Sequence, residues 1–164
     1  MINRMKIGAT LGISLMIISC APSLKQIKVK ADLHLSSVNK IIIKLYNLDG
    51  NILTSTATRD QLGGYELKEW EIKAISALDT LQNKLQIIGF KFVANEIEAD
   101  AIVDFRITFL EDEVGLWWGK QAETIFKDSK TGEMLASYQA ESGKVASSIR
   151  TLLKMLTDAI RKAY

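Results

Sequence analysis

Apolar and polar positions change period several times along this chain, and each change marks an element. In "ADAIVDFRITFL", residues 99 to 110, Ala101, Val103, Phe105, Ile107 and Phe109 alternate with Ile102, Asp104, Arg106 and Thr108. Period two with one apolar face predicts a half-buried strand. "KIIIKLYNLDGNILTSTAT", residues 40 to 58, places β-branched and aromatic residues on both sides of the turn pair Asp49-Gly50 and predicts a hairpin. "QAETIFKDSKTGEMLASYQAE", residues 121 to 141, predicts a second hairpin turning at Asp128 to Gly132, and Phe90 to Val93 a shorter strand.

Two segments step by three and four instead. From Glu66, apolar side chains recur at Leu67, Trp70, Ala74, Leu78, Leu81, Leu85 and Ile88, and Gly89 stands where a helix stops. Trp70 lies on that stripe and is expected in the core. Ser147 to Ala163 repeats the pattern at Ile149, Leu152, Leu153, Leu156 and Ile160, with Ser147 or Ser148 as cap and Arg161 and Lys162 complementing the dipole at its end. Hairpins combined with two amphipathic helices predict an α+β fold. It is a two-layer sandwich, with an antiparallel or mixed sheet and both helices on one face.

The first residues obey neither period. Arg4 and Lys6 give a positive start, Ile7 to Ile18 is almost wholly apolar, and Ser19 precedes Cys20, the only cysteine. A basic start, an apolar run and a small residue mark a secretory signal peptide over residues 1–19. The run is short of the roughly 20 apolar residues that a bilayer crossing needs. Ile17-Ile18-Ser19-Cys20 resembles the lipobox of bacterial lipoproteins, with Ile17 where the family usually has leucine. The resemblance implies cleavage before Cys20, acylation of its sulfur and attachment to a membrane through the acyl chains. A lone thiol in an exported chain has no disulfide partner, and lipidation resolves that oddity. Ala21 follows, where lipoproteins retained at the inner membrane tend to carry Asp. In an organism with two membranes, the expected location is therefore the periplasmic face of the outer membrane.

Beyond the leader, residues 20–39 form the lipidated cysteine and a tether or edge strand, and residues 40–164 a single domain. The alternation Leu24-Lys25-Gln26-Ile27-Lys28-Val29-Lys30 suits either an edge strand or a cationic stalk near headgroups. The full chain of 164 residues holds 21 basic and 19 acidic residues, and loss of Arg4 and Lys6 leaves the two in balance. A neutral domain has no electrostatic footprint for nucleic acid, so no nucleic-acid partner is expected.

The inventory for chemistry is thin. His34 is the only histidine, so no histidine-based zinc cluster is expected and a Ser-His-Asp triad has one position to draw on. "QLGGYE", residues 61 to 66, reads as the loop before a helix, not a phosphate cradle. Glu111, Asp112 and Glu113 are consecutive at a strand end, so their side chains diverge and read as a solvated tip. Asp49-Gly50 lacks further acids at ion-binding spacing. Asp104 and Arg106 share the polar face of their strand and could form a surface pair, worth under about 1 kcal/mol. No catalytic residue, metal site or cofactor is expected.

"VGLWWGK", residues 114 to 120, is the one segment that suggests contact with something else. Neighbouring strand residues face opposite sides, so at most one of Trp117 and Trp118 faces the core. The other is a candidate anchor for a protein partner or for the headgroup zone of a membrane; the alternative is that one packs in the sheet and one over a helix end.

Residues 78 to 140 resemble small bacterial envelope lipoproteins of no assigned role. There a helix ending in Gly-Phe precedes a strand with an Ala-Asp opening, and a later strand carries a D-x-x-T-G turn. The resemblance implies an α+β fold and carries over no catalytic residue. The expectation is a membrane-anchored, non-enzymatic interaction or assembly module with a protein partner. The alternatives are a periplasmic small-ligand-binding lipoprotein and, behind it, a carboxylate-based enzyme.

Overall fold

The structure is a computed structural model that describes residues 22–29, 35–47, 49–58, 67–111, 116–142 and 148–164; for residues 25–29, 111 and 117 it describes the backbone only. Its strands are β1 (Ser23–Val29), β2 (Lys40–Tyr46), β3 (Ile52–Ser55), β4 (Lys91–Phe92), β5 (Ala101–Glu111), β6 (Trp117–Asp128) and β7 (Met134–Glu141). The helices are α1 (Glu69–Ile88) and α2 (Ile149–Ala163). The strands form one mixed sheet in the order β1-β7-β6-β5-β2-β3, and β4 joins the start of β2. β2 runs parallel to β5 and β4, and all other pairs are antiparallel. Adjacent parallel strands need a crossover, and α1 lies within the one between β2 and β5.

Both helices cover one face, as the sequence predicts. Ile43, Val103, Phe105, Phe126 and Tyr138 from the sheet are buried with Leu78, Leu81 and Leu85 of α1 and Leu152, Leu153 and Leu156 of α2. Each such aliphatic side chain contributes about 1.5–3 kcal/mol by leaving water. Trp70 packs half-buried against this core. Of the two readings of the segment after Pro22, the edge strand is what forms: β1 pairs with β7 from Ser23↔Glu141 to Val29↔Ala136.

Local chemistry sets the boundaries. The backbone N–H of Lys68 donates to Glu71 Oε2 at 2.7 Å, so α1 opens three residues after the predicted start. Ser148 caps α2, its Oγ accepting from Thr151 N at 3.2 Å. Asp128 Oδ1 accepts from the backbone N–H groups of Lys130 and Thr131 at 2.9 and 2.7 Å, and Gly132 takes φ +71° to close the second hairpin. These bonds to the ionised form hold the Asp128 carboxyl below the usual carboxylate range.

The C-termini of both helices meet. Tyr164 packs its ring 4.7 Å from that of Phe90, and Phe90 follows α1 directly before β4. Both helices therefore end where β2 and β5 begin. Their N-termini lie at the opposite end, where β5 turns into β6.

Candidate functional site

That opposite end gathers the features the sequence singles out. Ser23 of β1 pairs with Glu141, Glu141 with Gln121, and Gln121 with Thr108, so these four residues stand at one level across the sheet. Among the described strands, β5 and β6 alone continue past it, pairing Phe109↔Gly119, Leu110↔Trp118 and Glu111↔Trp117. Three further residues of antiparallel strand reach about 10 Å beyond the start of β1.

A bulge at the base fixes this overhang. The register slips by one residue between Thr108 and Phe109 and leaves Lys120 without an opposite number. Ser142, just after β7, takes up the two carbonyls there: its backbone N–H donates to Lys120 O at 2.8 Å, and its hydroxyl donates to Gly119 O.

The overhang is apolar where its side chains are described. Leu110 is 45% exposed and Leu116 54%. Trp118 stands opposite Leu110 and is half-buried. Gly119, the next residue and opposite Phe109, is buried. The side chain of Trp117 lies outside the described residues, as do Val114 and Gly115.

A second group occupies the sheet face away from the helices. Lys127 Nζ sits 2.6 Å from Asp104 Oδ2, and the Asp104 side chain is 4% exposed. Asp104 thus pairs with the neighbouring strand rather than with Arg106. Arg106 instead lies over the Tyr46 ring, 5.5 Å from its centroid. Burial raises the pKa of Tyr46, and the negative charge and hydrogen bond of Asp104 raise it further. Glu96, in the 3-10 turn Glu96–Glu98, reaches Lys44 at 2.8 Å. The two lysines are each neutralised by a carboxylate, while Arg106 rests on the uncharged Tyr46 ring.

The hollows lined by described residues are shallow. One of about 330 Å³ lies between the first half of α1 and the start of α2, lined by Lys73, Ser76, Ala77, Thr80, Ile149 and Arg150. Another of about 110 Å³ lies beside Tyr46 and Arg106. Among the described residues, no three His, Cys, Asp or Glu side chains come together as metal ligands. No described helix is long and apolar enough to cross a membrane.

Several residues named from sequence lie outside the described ones: Cys20, His34, Gly63, Gly64, Asp112 and Glu113. Glu111 is described in backbone only, at the end of β5. Asp49-Gly50 forms the predicted turn, with Gly50 at φ +82° and Asn47 Oδ1 accepting from Asn51 N at 2.8 Å.

No protein-family model matches the sequence, and no curated protein does. Solved structures resemble it in fold. PelC from Paraburkholderia phytofirmans, solved as a dodecamer, superposes with a TM-score of 0.51 at 11% identity, over 85% of this chain and 94% of that one. The fold is shared with PelC. A DUF4136 family protein from Bacteroides thetaiotaomicron superposes less closely, with a TM-score of 0.46 at 11% identity over 84% of this chain and 91% of that one. Similarity at this level concerns architecture alone.

Proposed function

We propose that this chain is a lipid-anchored domain of the cell envelope, held by acyl chains on Cys20 and acting as a non-enzymatic interaction or assembly module. Its contact surface is the overhanging end of the β5–β6 hairpin, and its address is the periplasmic face of the outer membrane where two membranes exist. The observation that carries the reading is the start of β1 at Ser23, three residues after Cys20. An anchor on that sulfur would fasten the edge strand of the sheet itself, without an intervening stalk. The leader's basic start, apolar run and lipobox-like close support the same anchor. Two or more acyl chains hold a domain on a bilayer far more firmly than one, since each buried methylene contributes about 0.8 kcal/mol.

Lipid labelling of the wild type beside Cys20→Ser, followed by membrane fractionation, tests the anchor. The wild type is expected to take label and sediment with membranes, and the variant to do neither. A labelled Cys20→Ser chain, or an unlabelled wild type with its leader uncut, overturns the reading. PelC forms a dodecamer, and the assembly side of the proposal is tested by the mass of the detergent-solubilised protein; a strict monomer that crosslinks to nothing refutes it.

A further inference from the structure

The geometry points to the bilayer itself as the occupant of the hairpin surface: Leu110, Leu116 and Trp118 enter the headgroup zone of the membrane that holds Cys20. This deepens the function proposed above and rests on its lipid anchor.

Two lengths coincide. From Cys20 to Ser23 the chain takes three steps, which span about 10–11 Å when extended. The hairpin rises about 10 Å above the level of Ser23 through Phe109, Leu110 and Glu111, before its connecting residues begin. β1 enters the sheet from this end, so a sulfur fixed at the membrane surface brings the hairpin tip to that same surface. No other described strand reaches this far.

The chemistry of the overhang suits that depth. Leu110 and Leu116 leave apolar surface in water, and a Trp beside them has the amphipathic ring favoured at bilayer interfaces. Exposed Ile87, Ile97 and Met134 stand singly on three separate elements at the other end, and Ile52 and Ile72 singly on β3 and α1, as scattered surface apolar residues do; Leu24 of β1 is exposed beside Ser23. By sequence the tip also carries Glu111, Asp112 and Glu113. Attraction to anionic lipid therefore does not hold it, and its insertion is expected to be insensitive to salt.

The test uses the full chain expressed with its leader, purified from membranes and reconstituted in phosphatidylcholine vesicles with brominated acyl chains. The mass of the Cys20 peptide reports acylation, flotation reports anchoring, and tryptophan quenching reports the hairpin. A Trp70→Phe version confines emission to Trp117 and Trp118, and wild type serves where that change weakens the core. Emission is expected to fall at least twofold against unbrominated vesicles, equally at low and high salt. Leu116→Asp, at an exposed position, is expected to halve the quenching while the protein still floats. Acylated, floating protein with unquenched tryptophans overturns the inference and leaves the anchor standing; a hairpin that then crosslinks to a protein identifies the occupant as that protein. An unacylated Cys20 refutes the anchor, and the inference with it.

Discussion

Lys127 Nζ lies 2.6 Å from Asp104 Oδ2, and the lysine is 40% exposed where the aspartate is almost wholly buried. The pair bridges β5 and β6 diagonally, since Lys127 stands opposite Ile102 and Asp104 opposite Ile125. Removing the lysine strands a buried carboxylate. Lys127→Ala is expected to cost about 1–3 kcal/mol in denaturant unfolding, and Asp104→Ala/Lys127→Ala less than the two single changes summed. Strict additivity would show that the pair is not coupled.

Tyr138 is fully buried, and its hydroxyl has no partner among the described residues. Burial pushes its pKa up to about 12. The folded state then holds the phenol proton more tightly than the unfolded chain does. Its contribution is complete below about pH 10 and declines as pH climbs toward 12. Tyr138→Phe is expected to flatten that alkaline loss, leaving the part due to Tyr46, and to be neutral or stabilising at pH 7. A fall of more than 1 kcal/mol at pH 7 on this change would mean the hydroxyl is bonded.

Gly89 takes φ +133°, and a Cβ built there would stand 2.8 Å from the Tyr164 hydroxyl and 3.0 Å from its ring. Gly89→Ala is expected to lower stability by about 1–3 kcal/mol through backbone strain and displacement of Tyr164. Deleting Tyr164 relieves only the second part, so the substitution should remain destabilising in the shortened chain.

Ser142 secures the base of the hairpin through Gly119 and Lys120. Ser142→Ala removes one bond to a partly buried carbonyl and is expected to cost about 1 kcal/mol. Hydrogen exchange should quicken at Leu110 and Trp118 before it quickens at Phe105 or Phe126, which lie deeper in the same strands. Uniform exchange along β5 and β6 would show that the overhang does not depend on this serine.

Much of the fold is legible in the sequence because the periods are clean. The stripe from Leu78 to Leu85 and the alternation from Ala101 to Phe109 locate α1 and β5 without further help. Pair choice across strands is not legible. Asp104 and Arg106 sit two apart on one strand, which suggests a pair, yet Lys127 reaches Asp104 only because β6 lies alongside in this register. The parallel union of β2 with β5 is hidden for the same reason: nothing local in Ile41 to Tyr46 names Ala101 to Arg106 as its neighbour. At the hairpin, the tryptophans stand out by composition, but their height above Ser23 depends on four strands together. The Ser142 clasp leaves no signal in sequence.

The placement of β1 has a consequence for the order of assembly. Its one partner among the described strands, β7, is the last of them in the chain. A polypeptide made from its N-terminus therefore holds β1 idle until nearly everything else has been synthesised. The seam that completes the sheet joins the earliest and latest of its described strands, so truncation just before Met134 should release β1 and leave β6 as a bare edge, open to mispairing between chains.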